Sequence, residues 1–147
     1  MSKVVTLRLP EETASRLAAQ ARKAHRSVSE TGARALEEWL RMTEFAEIEF
    51  RTFNGERHAC VKGGMQVWQL VMVARGWDLD VEKTAKYFPI PVHRIEAAFT
   101  YYRAYPEEID AAIEENTSWT YERLKQVLPG LQLTTVNLEP DQHAAVS

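Results

Sequence analysis

Apolar and polar positions alternate at the start of the chain: Val5, Leu7 and Leu9 fall on one face, and Val4, Thr6 and Arg8 on the other, until Pro10 ends the run. This pattern predicts a β-strand. The next strand signal comes only at Arg57–Val61, and a lone strand is not stable, so the expected partner is the same strand of a second copy in an antiparallel, intermolecular two-stranded ribbon. From Glu11 the period changes to that of a helix. Ala14, Leu17, Ala18 and Ala21 form a thin apolar face behind a first turn rich in acids. After His25 and Arg26, either Ser27 or Ser29 can cap a second helix running to about Met42, with Val28, Leu36, Trp39 and Leu40 at its apolar positions. A strand and two helices of this size cannot enclose an adequate core alone, which predicts a homodimer through Val5, Leu7, Leu9, Val28, Leu36, Trp39 and Leu40.

The pattern resumes after an acidic stretch, residues 44–56, that reads as a linker with a turn signal at Asn54-Gly55. Arg57–Val61 reads as a short strand, Gly63-Gly64 as a break, and Val67–Gly76 as a mostly buried helix stopped by glycine. Asp80 caps a short helix through Tyr87 and Phe88, and Pro89-Ile90-Pro91 forces a turn. A helix over Val92–Tyr105 follows, with Ile95, Ala98, Phe99 and Tyr102 at core spacing and His93, Arg94 and Arg103 on other faces. Two helices about a tight turn suggest helix-turn-helix geometry with Val92–Tyr105 in the recognition position, and a fourth helix starts at Pro106 and runs to about Asn116. The expected class is mainly α: a dimeric N-terminal module (1–43), a linker (44–56), a helix-turn-helix-like domain (57–116) and an acidic tail (117–147). In the tail, a helix over about Thr120–Leu128 places Tyr121, Leu124 and Leu128 on one stripe, and Leu131–Leu138 looks extended.

Charge changes this picture by its distribution. The net charge of -3 conceals +3 over residues 1–43, -3 over 44–56, +3 over 57–105 and -6 over 106–147. Two basic modules therefore precede an acidic end, and the overall balance does not argue against nucleic acid, because phosphate recognition depends on charge within about 10 Å. One cysteine excludes an intramolecular disulfide framework and fits a reducing cytoplasm, and no secretion signal or membrane span is apparent, so the expected location is cytoplasmic with no membrane partner.

Candidate chemistry is sparse. His58 and Cys60 are two apart on the predicted strand and His93 could join them, but no fourth ligand or paired Cys/His cluster accompanies them, so no metal and no other cofactor is expected. Cys60 with His58 or His93 is conceivable as a nucleophile, yet a buried apolar cysteine is the simpler role. Neither a Gly-rich phosphate loop nor a metalloprotease helix motif is present, and the chain reads as a non-enzyme with no catalytic residue.

Residues 3–43 resemble the ribbon-helix-helix DNA-binding family of Arc, MetJ and CopG type. The likeness rests on Val5–Glu12, on Arg26-Ser27-Val28-Ser29-Glu30 and on Ala35-Leu36. It implies base contacts from Val4, Thr6 and Arg8 in the major groove of operator DNA, and phosphate contacts from Lys3, Arg26, Ser27, Val28 and Ser29. Thr31-Gly32 departs from the family's bulky apolar residues, which implies a closer or weaker contact between the helices. Residues 57–116 resemble a small winged-helix family fused to antitoxins of PIN-domain ribonucleases, on Val67–Val71, Thr84–Pro91 and Ala97–Tyr102 with Glu107–Ala111. That likeness implies a second DNA-contacting helix carrying His93 and Arg94.

Together the two resemblances imply a homodimeric repressor of VapB-like type II antitoxin character. Its partners would be double-stranded operator DNA, itself with higher oligomers on DNA, and a PIN-type toxin held by Trp119, Tyr121, Leu124, Leu128, Leu131 and Leu133. Three alternatives stay open: a stand-alone ribbon-helix-helix regulator whose second domain oligomerises or senses a ligand, behind it an enzyme with a DNA-like N-terminal dimeriser, and a tail whose Trp119, Tyr121 and Leu124 pack back on the second domain.

Overall fold

The computed structural model describes residues 2–118 together with Gln126, Gly130 and Gln132, and the chain divides into two units, residues 1–113 and 114–147. Among the described residues the elements are α1 (Glu11–Lys23), α2 (Val28–Glu44), β1 (Ile48–Phe53), β2 (Glu56–Val61), α3 (Val67–Ala74), α4 (Val81–Tyr87), α5 (Val92–Ala104) and α6 (Pro106–Thr117). The helix starts follow local chemistry. Pro10 precedes α1, whose first turn holds Glu11 and Glu12. Ser27 Oγ accepts the Glu30 amide at 3.0 Å to open α2, and an Asp80 carboxylate oxygen accepts the Lys83 amide at 2.8 Å to open α4. Between α1 and α2, His25 takes the left-handed conformation (φ 53°) while the Arg26 amide closes back on the Ala21 carbonyl.

The mainly α class stands, but the N-terminal ribbon does not. Residues 2–10 form no strand, and the sheet among the described residues is a mid-chain, intramolecular hairpin, with β1 antiparallel to β2 from Ile48↔Val61 to Phe53↔Glu56. A strand exists only through a partner's amides and carbonyls, and β1 and β2 already satisfy each other. Asn54 and Gly55, both at positive φ (50° and 83°), make the tight turn whose twist matches a hairpin. Residues 44–56, expected as a linker, thus carry β1, whose alternation of Ile48 and Phe50 with Glu49 and Arg51 is obscured in the sequence by the acidity of the stretch.

The core lies among the hairpin, α3, α5 and α6. Val61, Val67, Leu70, Val71, Ile95 and Phe99 are buried there, and Ile109 and Ile113 of α6 join the same cluster. Helix α5 packs on α3, α4 and both strands, so its buried arc is wider than a surface helix requires. Tyr101, not expected in the core, is fully buried, whereas Tyr102 is only partly covered. Helix α3 stops at Ala74 rather than at Gly76; a single tight turn over Arg75–Trp77 follows, and Asp78 and Leu79 then both adopt left-handed backbone that reverses the chain. In the second unit the described part is the end of α6, Ser118, whose amide donates to the Glu114 carbonyl, and the single residues Gln126, Gly130 and Gln132. Of the expected tail helix only Gln126 is described, and Trp119, Tyr121, Leu124, Leu128, Leu131 and Leu133 lie outside the described residues.

Candidate dimer and nucleic-acid interface

Helix α2 is built with its polarity reversed. Arg34, Glu37, Glu38 and Arg41 repeat at i, i+3, i+4 and i+7, which places them on one stripe, and Glu38 and Arg41 of this stripe bond to other elements of the chain while Arg34 stays exposed. Arg41, with a side chain only 16% exposed, donates to Glu37 at 2.9 Å, to Tyr101 Oη at 2.7 Å and to Glu108 at 2.8 Å, and its guanidinium lies 3.7 Å from the centre of the Tyr105 ring. Burial works against its charge, but the hydrogen bonds it donates to Glu108, Glu37 and Tyr101 outweigh it, so the guanidinium pKa is raised further. The Tyr101 hydroxyl, which donates to Glu108 at 2.7 Å, is also held protonated, first by burial and then by that carboxylate. One helical turn back, Glu38 accepts a fork from Arg57 of β2 at 2.9 and 2.8 Å.

The opposite side of α2 is apolar and uncovered. Val28, Leu36, Trp39 and Leu40 are all exposed, Trp39 at 59%. Residues 2–10 continue this surface in composition, with Val5, Leu7 and Leu9 exposed and Val4 at 92%. The α1–α2 contact is narrow: Ala21 is buried, and a Cβ on Gly32 would meet Leu17 Cδ2 at 3.7 Å, an ordinary contact that leaves room for it. Every residue assigned to a dimer interface is therefore on the surface of the single chain.

Of the residues assigned to DNA, Lys3, Val4, Thr6 and Arg8 are exposed in the N-terminal segment, and Arg26, Ser27, Val28 and Ser29 are exposed at the start of α2. The Glu30 amide is taken by Ser27, while the Val28 and Ser29 amides have no acceptor among the described residues, which leaves two first-turn donors for an anion. His93 and Arg94 sit differently. Arg94 Nε binds Glu47 Oε2 at 3.2 Å and His93 Nε2 lies 3.9 Å from Glu47 Oε1, so both residues meet a carboxylate of their own chain. With Ile95, Ala98, Phe99 and Tyr101 buried, α5 serves as the central core helix and turns only Val92, His93, Glu96, Thr100, Arg103 and Ala104 fully outward.

Among the described residues no cluster of three His, Cys, Asp or Glu is arranged to hold a metal, and no helix is long and apolar enough to cross a membrane. Cys60 is fully buried, and burial pushes its thiol up to about 11 against the weaker opposing pull of Arg51, which leaves it protonated at neutral pH. Sequence reasoning missed Arg41, Tyr101, Glu108 and Arg57. The charged stripe of α2 was the signal available, but such a stripe ordinarily marks a solvated face. No family model, curated protein or solved structure matches the chain.

Proposed function

We propose that the protein is a homodimeric, sequence-specific DNA-binding repressor acting in the cytoplasm by binding rather than catalysis. The observation that carries this reading is the reversed polarity of α2: Glu38 and Arg41 of its charged stripe are engaged within the chain and its apolar stripe, Val28, Leu36, Trp39 and Leu40, is left to a second copy. A two-fold contact is self-complementary, so one exposed stripe suffices for both protomers. Pairing two copies brings two sets of Lys3, Thr6, Arg8 and Arg26 together, and a symmetric basic surface suits an operator with two half-sites. Arg8 is the residue assigned to base recognition, as an unpaired arginine on an exposed segment able to form the two-point guanine contact, worth about 1–3 kcal/mol. The role as antitoxin of a type II pair, neutralising a PIN-type ribonuclease and regulating its own operon, rests on the likeness of residues 57–116 to antitoxin-fused modules.

The test combines sedimentation with a gel-shift titration against duplex DNA from upstream of the gene and against random duplex. A dimer is expected that prefers the upstream DNA, and Arg8→Ala should erase most of that preference while leaving random binding nearly intact. A monomer at micromolar concentration that binds neither duplex overturns the reading. Co-expression with the product of the adjacent gene tests the antitoxin role, which fails if no toxicity is relieved.

A further inference from the structure

The α1–α2 turn and the tip of the β-hairpin border a groove of about 450 Å³. Four cations reach it, Lys23 from the end of α1, Arg26 from the turn, Arg34 from α2 and Arg57 from β2, against the single carboxylate of Glu38. Glu38 is fully engaged by the Arg57 fork, and Arg57 also donates to Thr52 Oγ1 and to the Phe50 carbonyl, at 3.2 Å each. Arg57 is thus a neutralised, fixed wall, whereas Lys23, Arg26 and Arg34 have no ion-pair partner among the described residues. Three uncompensated cations around one groove repel one another, and a polyanion relieves that repulsion.

We propose that this groove seats the phosphodiester backbone of DNA, gripped between the α1–α2 turn and the hairpin tip. The proposal rests on the DNA-binding reading and adds to it a sequence-independent contact outside the N-terminal segment, made partly by the hairpin. Its cations come from separate elements, the end of α1, the α1–α2 turn, α2 and β2. The Val28 and Ser29 amides, without an acceptor among the described residues, follow Arg26 of this groove by two and three residues in sequence. The second half of the molecule then reaches DNA through its hairpin, while α5 remains occupied with the core.

The test is fluorescence anisotropy of the full chain on upstream and random duplexes across a salt series, comparing wild type with Lys23→Gln/Arg34→Gln. Both side chains are exposed and unpaired, so the double variant should keep the wild-type melting curve. Removing each phosphate-binding cation should lower affinity roughly tenfold at 0.1 M salt and flatten the salt slope by about 0.9, equally on both duplexes. Lys23→Arg/Arg34→Lys should restore the slope. If wild type binds and the Gln variant matches it in affinity and slope, the groove is not on the DNA and this proposal falls while the functional reading stands. If wild type binds neither duplex, both fall. In that case, calorimetric binding of inorganic phosphate that the variant abolishes would reassign the groove to a free phosphate ligand.

Discussion

Within residues 2–44 Ala21 is the one apolar side chain that is buried, whereas residues 45–113 enclose an apolar cluster running from Ile48 through Leu70 and Phe99 to Ile113. The two regions invert the usual arrangement relative to each other. The C-terminal region buries apolar groups and turns charge outward, while α2 turns charge inward, onto Tyr101, Glu108 and Arg57, and apolar groups outward. A helix anchored by charge–charge and charge–aromatic contacts gains specificity of placement, but the hydrophobic driving force that ordinarily holds a helix is left unused. The outward stripe is therefore the surface on which that force remains available, and a second copy is its proposed cover.

The largest effect expected from breaking this contrast lies in the core. Phe99→Ala should cost about 3–5 kcal/mol, because a fully buried ring leaves a cavity that rigid neighbours on α3 and the hairpin fill only partly. Urea unfolding should show it, and α2 should melt with the core, since the partners of Arg41 belong to α5 and α6. A helical signal from α2 that outlasts the core would show the two regions to be independent.

Trp39→Asp should act in the opposite sense. The core transition should move by less than about 0.5 kcal/mol, as for an exposed site, while dimer dissociation should become easier by at least about 2 kcal/mol, roughly thirtyfold in Kd, as for an aromatic anchor. Sedimentation equilibrium checks the second part. An unchanged association constant would remove α2 from the interface.

Arg41→Ala should cost about 2 kcal/mol, since it removes the charged donor shared by Glu108 and Tyr101 and leaves them only their mutual hydrogen bond. Arg41→Lys should recover only part, because a single ammonium cannot hold Glu37, Glu108 and the Tyr105 face at once. Thermal melting of the three proteins orders them. The smallest effect is confined to alkaline pH. The folded Cys60 thiol holds its proton more tightly than the ordinary value of 9.0, so its contribution to stability is complete below about pH 9 and is lost as pH rises through about 11. Cys60→Ala should flatten that alkaline decline, and a thiol reagent should spare the native protein at pH 8 and label it in denaturant.

The helices were legible because their signals are local. A cap at Ser27, a cap at Asp80, Pro10 ahead of α1 and the Pro89–Pro91 break each act within one turn, so their positions follow from neighbours in sequence. The apolar stripe of α2 was equally legible, since Val28, Leu36, Trp39 and Leu40 share a face whatever lies opposite. Strand pairing was not. Alternation is plain at residues 4–9 and masked by acidic neighbours at 48–53, and only three-dimensional proximity decides which stretch finds amides and carbonyls to pair with; β1 has β2 across a two-residue turn, and residues 2–10 have none. The same holds for Arg41 and Glu108, separated by 67 residues: each reads as an ordinary surface charge until folding sets them 2.8 Å apart beneath an aromatic ring. Helix periodicity and capping are properties of adjacent residues and survive in the sequence, whereas the partner of a strand or of a half-buried charge is a property of the fold.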